Sequence, residues 1–182
     1  MNTPSGALAA STAAAQASSI DLETIFSAHY DRVARVIARV TRDPARAEEL
    51  AVEVFLRWPS NQPEHPEAWL YRAAVRAGLD ELRRQTRRNR YERMLSLIRR
   101  RPAPNPEQIH TANQEQERVR AVLSAVGRRQ AEMLVLRAEG LAYAELAAVL
   151  ALNPASAGTL LSRAQQAFRK EYIKRYGTTT AA

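Results

Sequence analysis

Cysteine is absent from the 182 residues, and histidine is confined to His29, His65 and His110 on separate segments. The first absence excludes disulfide staples and thiolate catalysis, and the scatter of the imidazoles leaves no ligand set for a Cys/His zinc site. A chain of this kind suits a reducing cytosol, so a cytoplasmic location is expected. No apolar run approaches the roughly 20 residues that span a bilayer. The opening MNTPSGALAASTAAAQASS lacks the basic leader and strongly apolar centre of a secretion signal, although its small residues resemble a cleavage site; residues 1–20 are expected to form a disordered tail. There is no glycine-rich phosphate loop, no cluster of metal-ligating side chains and no nucleophile beside a base. The sequence therefore implies no catalytic residue, metal, cofactor or small-molecule substrate, and argues against an enzyme.

What is present is positive charge, unevenly spread. The formal net charge is +8. Residues 21–68 hold six Arg against nine acids, net −3, whereas residues 69–101 hold eleven Arg against three acids, net +8. Residues 102–127 return to −1, and residues 128–182 carry eight basic and four acidic side chains, net +4. One basic block in each half suggests two contacts with a polyanion. An arginine-rich block by itself is more often a solvated helix face, so its distribution around the helix has to decide.

Apolar residues recur at three and four positions, and no useful strand-like alternation occurs, so the expected fold is all-α. Phe26, Tyr30, Val33, Ile37 and Val40 line one side of a first helix. Asp43-Pro44 supplies an N-cap followed by proline at the first helical position, and the second helix, RAEELAVEVFLRW, has Leu50, Val54 and Trp58 as its inner stripe. The loop PSNQPEHP precedes a long third helix that Pro66 can start. At 100° per residue, Trp69, Arg72, Arg76, Asp80, Arg83, Arg87 and Arg90 fall within an arc of about 80°, and from Arg72 to Arg90 this stripe runs about 27 Å. Leu70, Ala74, Ala77 and Leu82 lie on the opposite, packing side. One-sided clustering favours phosphate binding over chance solvation. Trp69 has two readings of nearly equal weight, a core tryptophan and a stacking surface for an unpaired base.

PAPNPEQIHTANQEQ, with three prolines in five residues and little apolar content, reads as a linker. The expected organisation is a tail over 1–20, a helical domain over 21–98, a flexible linker over 99–116, a second helical domain over 117–176 and a tail over 177–182. Within the second domain, QERVRAVLSAV and RRQAEMLVLRAEG are helical, and the short apolar AYAELAAVLAL is followed by a last helix begun by Asn153-Pro154. Two helices joined by so tight a turn make a helix-turn-helix, whose second helix enters a DNA major groove.

Taken in order, HYDRVARVIARVTRDPARAEELAVEVFLRW, WLYRAAVRAGLDELRR, GRRQAEMLVLRAEGLAYAELAAVLAL and the closing helix resemble regions two and four of bacterial RNA polymerase sigma factors of the extracytoplasmic-function type, over roughly residues 22–172. The resemblance implies a noncatalytic subunit whose partners are core RNA polymerase, through its clamp helices and flap, and promoter DNA, and it allows for an anti-sigma factor. Glu48, Glu49, Glu53 and Phe55 correspond to the surface that docks on the clamp helices. Ser60, Asn61 and Gln62 of the loop, with Trp69, Arg72, Arg76, Asp80, Arg83, Arg84 and Arg87, correspond to the parts that open and hold the minus-ten element. Asn153, Ser156, Thr159, Ser162, Arg163, Gln166 and Arg169 correspond to those that meet the minus-thirty-five element.

The sequence departs from the family pattern at several places. Arg46 stands where an acid is usual, Val52 where a glutamine is usual, Val75-Arg76 where an Arg-Asn pair is usual, and Gly158 and Leu160 where basic residues are usual. A register shifted by three would align SAGTLLSR with the family's reading helix but breaks the apolar stripe Ala157, Leu161, Ala164, Phe168, so the unshifted register is preferred. The last helix then begins with nine uncharged residues. Its free backbone N–H groups and dipole still favour phosphate, and two modest DNA contacts on one rigid assembly reinforce each other. The alternative function is a conventional helix-turn-helix regulator that binds an operator unaided, and an interaction-only protein of the same fold is a further option.

Overall fold

The computed structural model of the chain describes residues 6–61, 63–98 and 111–177. Among these residues there are seven helices and no strand: α1 (Gly6–Thr41), α2 (Pro44–Leu56), α3 (Pro66–Ile98), α4 (Thr111–Ala125), α5 (Arg128–Ala138), α6 (Tyr143–Leu150) and α7 (Pro154–Tyr176). The all-α expectation holds. None of these helices is by itself long and apolar enough to cross a membrane.

The first three helices form one packed unit. Val33, Val36, Ile37 and Val40 of α1 meet Leu50, Ala51 and Val54 of α2 and Leu70, Ala74 and Leu82 of α3, all buried. Gly78 lets α3 approach closely, since a Cβ there would stand 3.1 Å from the Cβ of Val40. Asp43 caps α2 by accepting a 3.1 Å hydrogen bond from the Arg46 amide, with Pro44 in the first turn, as its dipeptide signal foretells. Helix α1 extends back to Gly6, where the sequence reading places a disordered tail; the run is rich in alanine, the strongest helix former, and carries no breaker beyond Gly6 itself.

In the second half, α4, α5, α6 and α7 surround Val122, Ala131, Leu136, Leu146, Leu150, Leu161 and Ala164. Helix α4 starts at Thr111, six residues before the expected domain boundary, and Gln114 to Glu117 within it are exposed, so its first turns need no apolar residue. Linker residues 99–110 and tail residues 178–182 lie outside the described residues. Helix α6 ends at Ala151 in the left-handed conformation, φ 50°, and α7 leaves at 93° to α6. Asn153 caps α7 through a 3.0 Å bond from the Ala155 amide to its side chain.

The two halves lie against one another. Helix α3 packs on α4, α5 and α6, and the buried apolar cluster runs on from one half into the other.

Candidate nucleic-acid interface

Seen from the chain outward, α3 has two sides with different neighbours. Its Leu70, Ala74, Leu82 side faces α1 and α2. The opposite arc carries the arginine stripe, and there the structure adds something the periodicity leaves blank: α5 and the end of α4 stand over its middle. Arg76 Nε donates to Glu132 of α5 at 3.0 Å, and Glu132 is only 3% exposed. Asp80 pairs with Arg128 at the start of α5, and Arg83 donates to the Val126 carbonyl at 3.5 Å while lying 3.6 Å from Asp80. Arg72 is half-buried, and its Nε has no hydrogen-bond partner. Burial, followed by the neighbouring charge of Arg76, holds the Arg72 guanidinium below its ordinary pKa. Leu79, about 20° outside the arc by the helical count, is fully covered. Farther along, Arg84 reaches Glu81 at 2.9 Å, and Arg87 and Arg90 are exposed. The stripe is continuous as expected, but covered in the middle and open towards its end.

The loop before α3 leaves Ser60 and Asn61 exposed, and Gln62 falls outside the described residues. Behind it Trp69 is half-buried and meets Trp58 edge to face, centroids 5.2 Å apart. The indole therefore packs against Trp58 while staying partly exposed. A groove of ≈ 540 Å³ runs from these residues between α2 and α3, past Arg57, Arg72, Asp80 and Arg84.

On α2, Glu48 and Glu49 are exposed and Glu53 is half-exposed. Phe55 is turned inward, 4% exposed, with its ring 4.8 Å from that of Phe26. The apolar side chains that share the outer face with the acids are Val52 and Leu56, and Leu56 is 80% exposed. Sequence reasoning chose the aromatic residue at 55 and missed its neighbour; the signal lay in α1, whose Phe26 and Tyr30 supply the aromatic partners. Arg46, in place of the usual acid, sits among Glu49 at 2.6 Å, Glu81 at 3.5 Å and Glu53 at 3.7 Å, and the hydrogen bond it donates to Glu49 heads the causes that raise its pKa.

The outer face of α7 is open. Thr159, Ser162, Arg163, Gln166 and Arg169 are exposed, and Ser156 bonds its hydroxyl to the Asn153 carbonyl at 2.8 Å. Ala157, Leu161 and Ala164 are buried and Phe168 half-buried, which agrees with the unshifted register. Leu160 packs half-buried against the core rather than facing outward with the hydroxyls. A Cβ at Gly158 would meet nothing within 4 Å, so this glycine is not required by any neighbour in the chain.

The described residues bring together an acidic, partly apolar face on α2, a cationic helix beside a polar loop with indoles at its base, and an open helix, α7, whose first nine residues are uncharged. Residues 25–88 match sigma-70 region 2. The chain is 29% identical to the ECF RNA polymerase sigma factor SigE of Mycolicibacterium smegmatis, over 98% of this chain and 71% of that protein. It is 32% identical to the ECF RNA polymerase sigma factor SigJ of Mycobacterium tuberculosis, over 78% of this chain but about half, 48%, of SigJ. With the ferric citrate uptake sigma factor FecI of Escherichia coli it shares 24% identity over 85% of this chain and 94% of FecI. The chain therefore contains a sigma-70 region 2 and is similar over most of its length to ECF RNA polymerase sigma factors.

Proposed function

We propose that this chain directs core RNA polymerase to promoters with two separated elements, in the cytoplasm where polymerase works. Docking uses the outer face of α2, where Glu48, Glu49 and Glu53 offer negative charge to a basic clamp, and Val52 and Leu56 supply the desolvated centre that charge alone does not give. The loop at Ser60 to His65 and the arc from Trp69 to Arg87 take the minus-ten strand: the arginines bind phosphate, and the Trp69 face and loop polar groups meet bases released from the duplex. Helices α6 and α7 act as a helix-turn-helix, their 93° crossing falling within the range of that motif. Helix α7 then approaches the minus-thirty-five element with its amino end first. Thr159 and Ser162 touch base edges, and Arg163, Gln166 and Arg169 reach phosphate or purines. An apolar groove of ≈ 480 Å³ between the halves, lined in part by Val40 of α1 and by Val119, Leu123, Leu134, Val135 and Phe168, is suited to the polymerase flap.

The observation that carries this reading is the one-sided arginine arc on the helix that ends the sigma-70 region 2 match. Purified chain mixed with core polymerase and a randomised promoter library should yield transcripts whose upstream sequences share two elements at one fixed spacing. Sequence-selective duplex binding by the chain without polymerase, and no specific initiation with it, would move the protein to the conventional regulators.

A further inference from the structure

The outer face of α2 carries its own counter-charge. From residue 46 to residue 57 the segment holds three acids, Glu48, Glu49 and Glu53, against two arginines, Arg46 and Arg57, net −1. Arg46 stands among the acids. Its Nη1 donates to Glu49 at 2.6 Å and its Nη2 lies 3.7 Å from Glu53, while Arg57 donates to Glu53 at 3.0 Å. Underneath, Glu81 of α3 accepts from Arg46 Nε at 3.5 Å and from Arg84 at 2.9 Å, and its side chain is only 6% exposed. A guanidinium tied at its root to a buried carboxylate stays on this face instead of swinging into solvent. Glu48 is the one acid of the three without an ion pair among the described residues.

We infer that Arg46 sets the strength of polymerase docking by shielding Glu49 and Glu53, which makes this chain a weak competitor for core polymerase. The inference rests on the reading of the α2 face as the docking surface. A basic partner approaching that face meets carboxylates that already accept a guanidinium. To bond Glu49 it must displace Arg46 or take that charge as a near neighbour, and either way the attraction is smaller. With an acid at position 46, as is usual in the pattern the sequence resembles, the same stretch would hold four acids against one arginine, net −3. The substitution thus reverses the charge beside Glu49. Complementary charge acts mainly on the rate of encounter, so the shielding appears as slow association. Val52 and Leu56, exposed beside the acids, then supply a larger part of the contact.

The test uses the full chain and core polymerase. The chain has no cysteine, so a dye on Lys170→Cys, at an exposed position of α7, reports complex formation by its anisotropy. Arg46→Gln should tighten binding by about threefold in dilute salt, chiefly through faster association, the size expected for one exposed charge. The gain should vanish near about 1 M salt, where screening acts beyond about 3 Å. Arg46→Lys, which keeps the charge, should restore most of the shielding. The signature is non-additivity: Glu49→Gln should weaken the Arg46→Gln chain by about threefold and the parent much less, because in the parent that carboxylate is already engaged. Arg57→Gln, at a side chain 71% exposed, should give a smaller gain in the same direction, and it decides the matter where urea unfolding shows that Arg46→Gln loosens the fold. Weaker or equal binding by both arginine variants, with Glu48→Gln still costly, overturns the shielding and keeps α2 as the docking face. Indifference to every one of these changes, Glu48→Gln included, overturns both readings.

Discussion

Helices α3 and α7 are both proposed to meet DNA, and they differ in where their charge lies and in what covers it. Helix α3 is dense in arginine and has its middle pressed against α5; α7 begins with nine uncharged residues and presents its outer face to solvent. Charge and cover go together. A cationic arc left open would hold any nucleic acid by counterion release, without regard to sequence. The uncharged first nine residues of α7 have little such affinity to restrain, and gain usefulness only where a second contact on the same assembly fixes their position.

The largest change expected comes from emptying the arc. Arg72→Ala, Arg76→Ala and Arg83→Ala together should cripple promoter opening by the assembled polymerase and flatten its log–log salt dependence by about 2, three single-strand phosphate contacts at about 0.7 each. Equal slopes for mutant and parent would leave the arc as an internal surface only, and the contrast with α7 would lose its meaning. Next is Leu160→Arg, which forces a guanidinium into a half-buried apolar place and should cost about 1–3 kcal/mol in urea unfolding. Unaltered unfolding together with tighter duplex binding would show that position 160 belongs to the reading face, and that α7 differs from α3 by one side chain. The smallest effect sharpens the comparison most. Gly158→Ala should raise stability by about 1 kcal/mol, since the new methyl meets no neighbour. The same methyl should weaken transcription that depends on the minus-thirty-five element, if α7 brings its backbone close to DNA. A gain in stability with unchanged transcription would put Gly158 away from the duplex.

Much of this was legible in the sequence where the controlling interactions are local. Asp43-Pro44 and Asn153-Pro154 announce α2 and α7 because a cap and a proline act within one turn. The stripe Ala157, Leu161, Ala164, Phe168 fixes the rotation of α7 because only one side of that helix is apolar enough to bury. On α2 the outcome is less legible: Phe55 and Leu56 are adjacent and comparably apolar, and their fates are decided by aromatic rings in a different helix. Glu132 was not found by periodicity, although an acid between Ala131 and Met133 in an otherwise apolar stretch is a signal in itself, since a buried carboxylate needs a cation from elsewhere. Which cation is a question of how distant segments meet, and no count along one helix answers it.

The Trp58–Trp69 pair has a spectroscopic consequence. The chain has two tryptophans, and they sit 5.2 Å apart at the base of one loop. Ultraviolet emission excited at the red edge of tyrosine absorption therefore originates from a single spot of the protein, beside Ser60 and Asn61. A base settling there should quench or shift that emission without any dye attached, while events along α7, whose aromatic residues are Phe168, Tyr172 and Tyr176, stay dark. The protein carries its own optical probe for one of the two proposed DNA contacts and none for the other.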